Sequence, residues 1–252
     1  DEIILTPPTY PSYYNYVKRC CGKLVEVPLE EDTLLPDFNK VLAAITDKTK
    51  AIFLCNPNNP TATLIDAEEL HAFQKKLPEH VLLVVDEAYI DFVEDPGYRT
   101  MSDDANLIVV RTFSKLYGMA GARMGYLMSN NEIIEYLQRD STGFCCSRMG
   151  LHAAEAALDD VEFQEMTKKG NKEGREILVR CMKELGFRVW PSHTNFIYFD
   201  PGVDVKWFAD RLLDYGIIIR GNFNANRISI GTPEEDRFVC KAMREIMAEA
   251  KK

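Results

Sequence analysis

The stretch that decides the fold is Val81-Leu82-Leu83-Val84-Val85-Asp86-Glu87-Ala88-Tyr89. A continuous run of five apolar residues is typical of a strand buried on both faces, as in a parallel sheet. A carboxylate directly after such a strand is costly to bury unless it meets a cation or hydrogen-bond donors. The sequence therefore predicts a core strand that presents Asp86 to a positively charged group, with a helix N-cap as the alternative interpretation.

Similar apolar runs lie on either side of this stretch, at 51–55 and 107–110. Asp66 begins a helical pattern that continues to Leu77, with Glu69 at the capping-box position. Further strands are predicted at 3–5 and 24–29 and further helices at 10–21, ended by Gly22, and at 36–45. Strands that alternate with helices indicate βαβ units, so we expect an α/β fold with a mostly parallel sheet and helices on both faces.

The pattern changes in the second half, where residues 151–185 are predicted to be almost wholly helical, with interruptions or bends at Gly170 and Gly174. After it we predict strands at 187–190, 195–199, 217–220 and 227–230, a helix at 205–215, and a closing helix from Pro233 to the C-terminus. This is a smaller α+β unit. We expect two domains, 1–155 and 156–252.

Composition excludes several classes of protein. The chain has 252 residues, 46% hydrophobic and 27% charged, which is typical of a globular protein and not of a disordered one. The run at 81–85 is far shorter than the roughly 20 residues that cross a bilayer, so no membrane protein is expected. The net charge of −9, with no stripe of Lys or Arg, argues against nucleic-acid binding.

The seven cysteines and four histidines show no spacing typical of metal ligands or of a disulfide framework. We therefore expect no metal site and reduced thiols in a cytoplasmic protein. The chain opens on Asp1 without an initiator Met, which suggests that it begins partway through a longer chain.

Three more segments combine turn residues with chemically active side chains at the ends of predicted strands, where open parallel sheets place ligands. They are 55–61, with two prolines and three asparagines; 111–126, with Ser, Lys and Arg among glycines; and 224–232, which contains Arg227. Each alone has an ordinary structural interpretation as a turn or a solvated strand end. The second suits a phosphate and a nucleophilic amine, although the order of a Walker A loop is lacking.

Together, in this order, the four segments resemble the fold type I pyridoxal-phosphate-dependent aminotransferases, and within them the histidinol-phosphate aminotransferase subfamily. The motifs are Asn56-Pro57-Asn58-Asn59-Pro60-Thr61, Asp86-Glu87-Ala88-Tyr89, Ser114-Lys115 with Ala120-Gly121-Ala122-Arg123-Met124-Gly125-Tyr126, and Arg227-Ile228-Ser229-Ile230-Gly231-Thr232, joined by Pro8-Thr9-Tyr10 and Thr194-Asn195-Phe196. The resemblance covers essentially the whole chain and implies an aspartate-aminotransferase-like large domain.

The resemblance implies how pyridoxal 5'-phosphate is held. Lys115 would be the catalytic residue, bonding to the cofactor aldehyde and later moving the proton. Asp86 would pair with the ring nitrogen, Tyr89 and Asn59 would contact the ring oxygen, and Tyr10 would stack on the ring.

The same resemblance implies which residues bind the substrate and the cofactor phosphate. Arg227 would bind the substrate α-carboxylate, supported by Asn195, because a guanidinium can donate two parallel hydrogen bonds to a carboxylate. Arg220 is a candidate for a distal anion of the substrate, or else a surface arginine. The cofactor phosphate would be bound by Thr112, Ser114 and Arg123.

The implied activity is transfer of an amino group between histidinol phosphate and 2-oxoglutarate, in histidine biosynthesis, by a homodimer with shared active sites. An aromatic amino-acid aminotransferase, a threonine-phosphate decarboxylase and a non-catalytic remnant that acts as a binding protein are the alternatives. Two departures from the family stand out. Ala62 replaces a usual glycine, which questions the backbone conformation there, and the family's N-terminal segment has no counterpart in this chain.

Overall fold

The computed structural model describes residues 1–100, 106–141, 143 and 145–250. Its first sheet has six strands in the order β2-β1-β3-β4-β5-β6, of which the first five run parallel and β6 runs antiparallel to β5. The strands are β1 Glu2–Leu5, β2 Lys23–Glu26, β3 Thr49–Cys55, β4 Leu82–Asp86, β5 Leu107–Thr112 and β6 Gly125–Met128. The helices of this half are α1 Ser12–Arg19, α2 Phe38–Ala43, α3 Ala67–Gln74 and α4 Asn131–Asp140, with short 3₁₀ turns at Ile90–Phe92 and Ala120–Ala122.

The predicted apolar strands form the centre of this sheet. Ile52, Leu83 and Val109 are fully buried within one hydrophobic cluster between the sheet and its helices. The strand register places Cys55 beside Asp86 and Asp86 beside Val110. The carboxyl ends of three neighbouring strands therefore meet at one edge, and the loops that follow them lie together.

Three helix ends can be compared with the residues next to them in the sequence: the starts of α2 and α3 and the end of α1. The Asp37 and Asp66 carboxylates accept hydrogen bonds from backbone N–H groups of the first turns of α2 and α3, as expected of N-caps. The expected stop at Gly22 is displaced by one residue, because Cys21 takes the left-handed conformation (φ +53°) and the Gly22 N–H closes the turn onto the Val17 carbonyl.

A second, antiparallel sheet of three strands follows, in the order β7-β8-β9. Its strands are β7 Arg188–Val189, β8 Phe196–Asp200 and β9 Asn226–Ser229, and its helices are α5 Arg148–Asp159, α6 Val161–Glu184, α7 Val205–Leu213 and α8 Pro233–Ala250. The predicted strand at 217–220 does not form. That segment meets β9 at a single pair, Arg220 with Arg227, so no ladder is built.

The predicted bends in the long helix are wrong. Helix α6 continues through Gly170 and Gly174, and the chain breaks instead at Asp160, whose carboxylate caps α6 by accepting the Phe163 N–H. Gly174 is present for packing, since a Cβ there would clash with the Asp236 carboxylate and lie 2.5 Å from the Ile230 side chain.

Each half has its own hydrophobic core. One cluster gathers buried residues from β1 to β5, and another gathers residues 178–247 around α6, α7, α8 and the small sheet. The domain limits of 1–155 and 156–252 stay a prediction. Over the described part of the chain, no helix combines the length and apolarity needed to cross a membrane.

Candidate active site

The loop after β3 is built from interlocking polar side chains that are buried. The Asn56 side chain donates to the Tyr98 hydroxyl at 2.5 Å and accepts the Ile65 N–H at 2.8 Å. The Asn58 amide donates to the Pro8 carbonyl at 2.9 Å. These bonds satisfy the polar side chains of Asn56 and Asn58, and Asn59, which is also buried, bonds instead to the more distant Arg227.

Ala62 adopts a left-handed conformation (φ +64°) in this loop, where its N–H donates to the Asn58 carbonyl. This is the position at which the resemblance expects glycine, and the residue keeps the conformation that glycine adopts without steric cost. The doubt raised by the alanine is therefore answered, since the turn forms with alanine in place.

A cavity of about 290 Å³ opens at the carboxyl ends of β3, β4 and β5. This is just below the range of about 300–1,000 Å³ typical of ligand sites. Five further residues line it that sequence reasoning did not select: Cys55, Ala88, Val110, Arg111 and Ala120. All eight predicted cofactor-binding residues line it: Tyr10, Asn59, Asp86, Tyr89, Thr112, Ser114, Lys115 and Arg123.

Asp86 lies at the end of β4 with its carboxylate held on both oxygens. Oδ1 accepts the Ala88 N–H at 3.0 Å, and Oδ2 accepts the Tyr13 hydroxyl at 2.6 Å. Burial raises the pKa of this carboxyl, against hydrogen bonds from Tyr13 and Ala88 and the positive charge of Lys115. No described residue forms a salt bridge with Asp86, so the carboxylate is ready for a cationic ligand group.

Lys115 follows β5, and its Nζ lies 5.2 Å from the centre of the Tyr89 ring. Burial lowers the pKa of this amine, and the positive charges of Arg227 and Arg123 lower it further, against the effect of Asp86. A larger fraction of neutral amine is the form that a nucleophile or proton acceptor needs.

The Thr112 and Ser114 hydroxyls form a small polar group beside Lys115. The Thr112 hydroxyl donates to Ser114 Oγ at 2.8 Å, and the Ser114 N–H donates to Thr112 Oγ1. Arg123 stands nearby in a left-handed conformation (φ +56°), with its guanidinium donating to the Ala120 carbonyl at 2.7 Å. Hydroxyls beside a guanidinium that has no carboxylate partner among the described residues suit a phosphate.

Arg227 reaches the same site from β9 of the second sheet. Its Nη1 donates to Asn59 Oδ1 at 2.6 Å, and its guanidinium lies 4.8 Å from the centre of the Phe196 ring. Its Nε is buried without a hydrogen-bond partner among the described residues. A partly buried guanidinium with an unused donor and no carboxylate fits an incoming carboxylate, because such a pair forms two parallel hydrogen bonds.

None of the three predicted substrate residues, Arg227, Arg220 and Asn195, lines the cavity. Arg220 pairs with Arg227, and Asn195 meets the end of β9. The Arg220 and Arg227 backbones exchange two hydrogen bonds of 2.9 Å, which places two cationic side chains at one register position. The Asn195 carbonyl accepts the Ile230 N–H at 3.0 Å and anchors the end of β9.

Sequence reasoning also missed Tyr13, whose hydroxyl contacts Asp86 from α1. The available signal was its spacing, three residues after Tyr10 in a predicted helix, but helical spacing alone does not say which strand end a side chain meets. Glu87 and Arg111 were missed as a pair; they form a salt bridge of 2.7 Å, with the Glu87 side chain fully buried.

The donor set fits pyridoxal phosphate, the group that the resemblance implies. Asp86 has no salt-bridge partner in the part of the chain that the structure describes, and a protonated ring nitrogen would supply a positive charge to it. Lys115 offers an amine to an aldehyde. The hydroxyls of Thr112 and Ser114 with Arg123 offer donors to a phosphate. Arg227 keeps a buried nitrogen, with no hydrogen-bond partner among the described residues, for a carboxylate.

Comparison with known proteins gives independent support. The sequence model of the family "Aminotransferase class I and II" matches residues 1–243. The chain is 39% identical over 239 residues to the histidinol-phosphate aminotransferase of Brevibacillus brevis, covering 91% of this chain and 65% of that protein. It is 35% identical to histidinol-phosphate aminotransferase 1 of Idiomarina loihiensis, covering 98% and 69%. The chain thus spans about two thirds of the length of these curated relatives.

Among solved structures, the chain resembles the histidinol-phosphate aminotransferase of Sinorhizobium meliloti in complex with pyridoxal-5'-phosphate. The TM-score is 0.90 at 32% sequence identity, and the match covers 99% of this chain and 71% of that one. The predicted fold class is confirmed by this similarity, and so is the predicted cofactor class.

Proposed function

Because this chain belongs to the class I and II aminotransferase family, we propose that it catalyses pyridoxal-phosphate-dependent transamination between histidinol phosphate and 2-oxoglutarate. The observation that carries the proposal is the convergence of Asp86, Lys115 and Arg227 on one site. These three residues come from β4, the loop after β5, and β9, and their charges act on one another.

The cofactor, when bound, supplies an aldehyde that takes up the amino group and an electron-withdrawing ring. We assign the binding of its ring to Asp86 at the nitrogen, to Tyr89 and Asn59 at the ring oxygen, and to Tyr10 on the ring face. Burial raises the pKa of the Tyr89 phenol, so that it stays protonated and can donate a hydrogen bond. Thr112, Ser114 and Arg123 bind the phosphate.

Lys115 holds and moves the proton during the reaction. Its lowered pKa increases the fraction of the Nζ amine that is neutral, which is the form that accepts a proton from the substrate. Arg227 orients an α-carboxylate, and the Asn59 oxygen fixes the guanidinium in place at 2.6 Å. We assign Asn195 to the support of this end of the site, and Arg220 to a second anionic group of the substrate.

The donor is proposed from the relatives, which are histidinol-phosphate aminotransferases. Histidinol phosphate has a phosphate and no α-carboxylate, whereas 2-oxoglutarate has two carboxylates. Two neighbouring cations, Arg220 and Arg227, suit substrates that carry anions at one or both ends.

We propose a homodimer as the working form. Fifteen large apolar side chains are exposed in the described part of the chain, and ten of them lie within residues 126–166. Large contiguous apolar patches on soluble proteins mark interaction sites, and we take these side chains to belong to such a patch.

We also propose a cytoplasmic location. The seven cysteines are free thiols, and thiols stay reduced in the cytosol.

The test is to trap the cofactor on the protein. We expect borohydride reduction in the presence of pyridoxal phosphate to leave an adduct on Lys115 in peptide mapping. Lys115→Ala should lose both the adduct and transamination, while Lys241→Ala, an exposed control on α8, keeps both. An adduct on another lysine would contradict the assignment, and a donor screen against 2-oxoglutarate tests the substrate pair.

A further inference from the structure

The hydroxyl of Tyr13 is buried against Asp86, the carboxylate that lines the cofactor cavity among the described residues. Tyr13 lies in α1 and Asp86 ends β4, 73 residues later, and the bond from Oη to Oδ2 is 2.6 Å long. A short bond of this kind to an ionised acceptor is among the stronger hydrogen bonds in proteins. The other oxygen of Asp86 is held by a backbone N–H at 3.0 Å, so the carboxylate has little freedom to rotate.

Packing explains the ring of Tyr13 but not its hydroxyl. The ring lies in a small core with Leu5 and Cys55, 5.6 Å from the ring centre of Phe53 and edge-on to Tyr10 at 5.4 Å. A phenylalanine would fill this space equally well. A buried hydroxyl is energetically costly unless it forms a hydrogen bond, and the Tyr13 hydroxyl donates one to the Asp86 carboxylate.

The electrostatic effect of this bond favours an ionised Asp86. Burial raises the pKa of the Asp86 carboxyl, and the Tyr13 hydrogen bond is the largest effect that lowers it. Burial also raises the pKa of the Tyr13 phenol well above its ordinary value, so Tyr13 stays a donor. The other titratable groups that interact electrostatically with Asp86 itself are Cys55, Lys115 and Tyr89. Arg227 and Arg123 act on Lys115, and Arg227 and Tyr10 act on Tyr89.

We propose that Tyr13 is a positioning residue, which holds the Asp86 carboxylate ionised and aimed at the ring nitrogen of the cofactor. The inference rests on the proposed function, because it assumes that Asp86 meets that nitrogen. Tyr13 itself does not line the cavity, so it acts through Asp86 and not on the reacting atoms.

The experiment compares Tyr13→Phe with the parent and with Tyr16→Phe, an exposed tyrosine on the same helix. Carboxyl ¹³C NMR on the purified protein, before pyridoxal phosphate is added, follows the titration of Asp86, whose signal is identified by its loss in Asp86→Asn. We expect Tyr13→Phe to raise the Asp86 pKa by about one to two pH units. Tyr16→Phe should leave it unchanged.

The second readout is the cofactor itself. Tyr13→Phe should raise the Kd for pyridoxal phosphate by about tenfold. It should also shift the pH at which the visible absorbance of the bound cofactor changes. In the Asp86→Asn background the same substitution should change neither quantity, because the acceptor of the Tyr13 bond is then no longer ionised.

Two results would overturn the proposal. One is an Asp86 titration in Tyr13→Phe that matches the parent. The other is a shifted Asp86 titration with the Kd and the absorbance pH profile of the parent. If Tyr13→Phe fails to fold, 3,5-difluorotyrosine at position 13 replaces it: this stronger donor should lower the Asp86 pKa, and no change would count against the proposal. Trapping of the adduct on Lys115 tests the proposed function separately.

Discussion

At the scale of single residues, Lys115 and Lys206 have amines with opposite surroundings. Burial lowers the pKa of Lys115, and a hydrogen bond to Asp210 raises that of Lys206. Only the neutral amine reacts with an acylating reagent, and its fraction at a given pH increases as the pKa falls. Labelling of Lys115 by acetic anhydride in the protein without cofactor should therefore begin at lower pH than labelling of Lys206.

The measurement is competitive labelling followed by mass spectrometry, over pH 7 to 11. The midpoint for Lys115 should lie below the ordinary lysine value of about 10.4, and that for Lys206 above it. Coincident profiles for the two lysines would show that Lys115 is an ordinary solvated amine.

Arg227→Lys should separate the two half-reactions. An ammonium cannot form the two parallel bonds of a guanidinium, and the loss of one charge-assisted bond, about 1.5–3 kcal/mol, corresponds to about 10–100-fold in KM for 2-oxoglutarate. Histidinol phosphate has no α-carboxylate, so its half-reaction should change less. Stopped-flow measurement of each half-reaction provides the comparison, and equal losses in both would mean that Arg227 is structural or that the donor is an ordinary amino acid.

At the scale of secondary-structure elements, helix α6 contains two glycines in different surroundings. A Cβ at Gly174 would clash with the Asp236 carboxylate and Ile230, whereas a Cβ at Gly170 would have no heavy atom within 4 Å. We expect Gly174→Ala to lower the free energy of unfolding by about 1–3 kcal/mol, through overpacking. Gly170→Ala should raise it by about 0.5–1 kcal/mol, because alanine is the better helix former.

Urea denaturation of both variants gives these free energies. The two substitutions are chemically identical and four residues apart in one helix, so the difference between them reports packing alone. Equal stabilisation of both variants would show that α8 does not pack closely against α6 at Gly174.

At the scale of the whole molecule, the exposed apolar side chains of residues 126–166 predict self-association. Met149 and Met166 are 84% and 61% exposed within that segment. Charging them, as in Met149→Lys with Met166→Lys, should weaken dimerisation in sedimentation velocity experiments by at least about tenfold. Ile218→Lys, which charges a side chain 83% exposed in the other half, is the matched control. A monomeric parent at high concentration would contradict the proposed dimer.

Much of this molecule could be predicted from residues close together in the sequence. The apolar runs at 51–55, 81–85 and 107–110 predicted the central strands, and Asp66 predicted a helix start. These predictions were confirmed because strand formation and helix capping depend on residues that are close together in the sequence. The motif order predicted which side chains line the cavity, since the carboxyl ends of adjacent parallel strands must meet at one edge.

Other features were decided only by the tertiary structure. The bond between Asn59 and Arg227 joins residues 168 positions apart, and that between Tyr13 and Asp86 joins residues 73 apart. The glycine that was expected to bend α6 instead allows α8 to approach. No local pattern contains this information, because a contact between distant residues depends on how whole elements pack and on which buried groups need a partner.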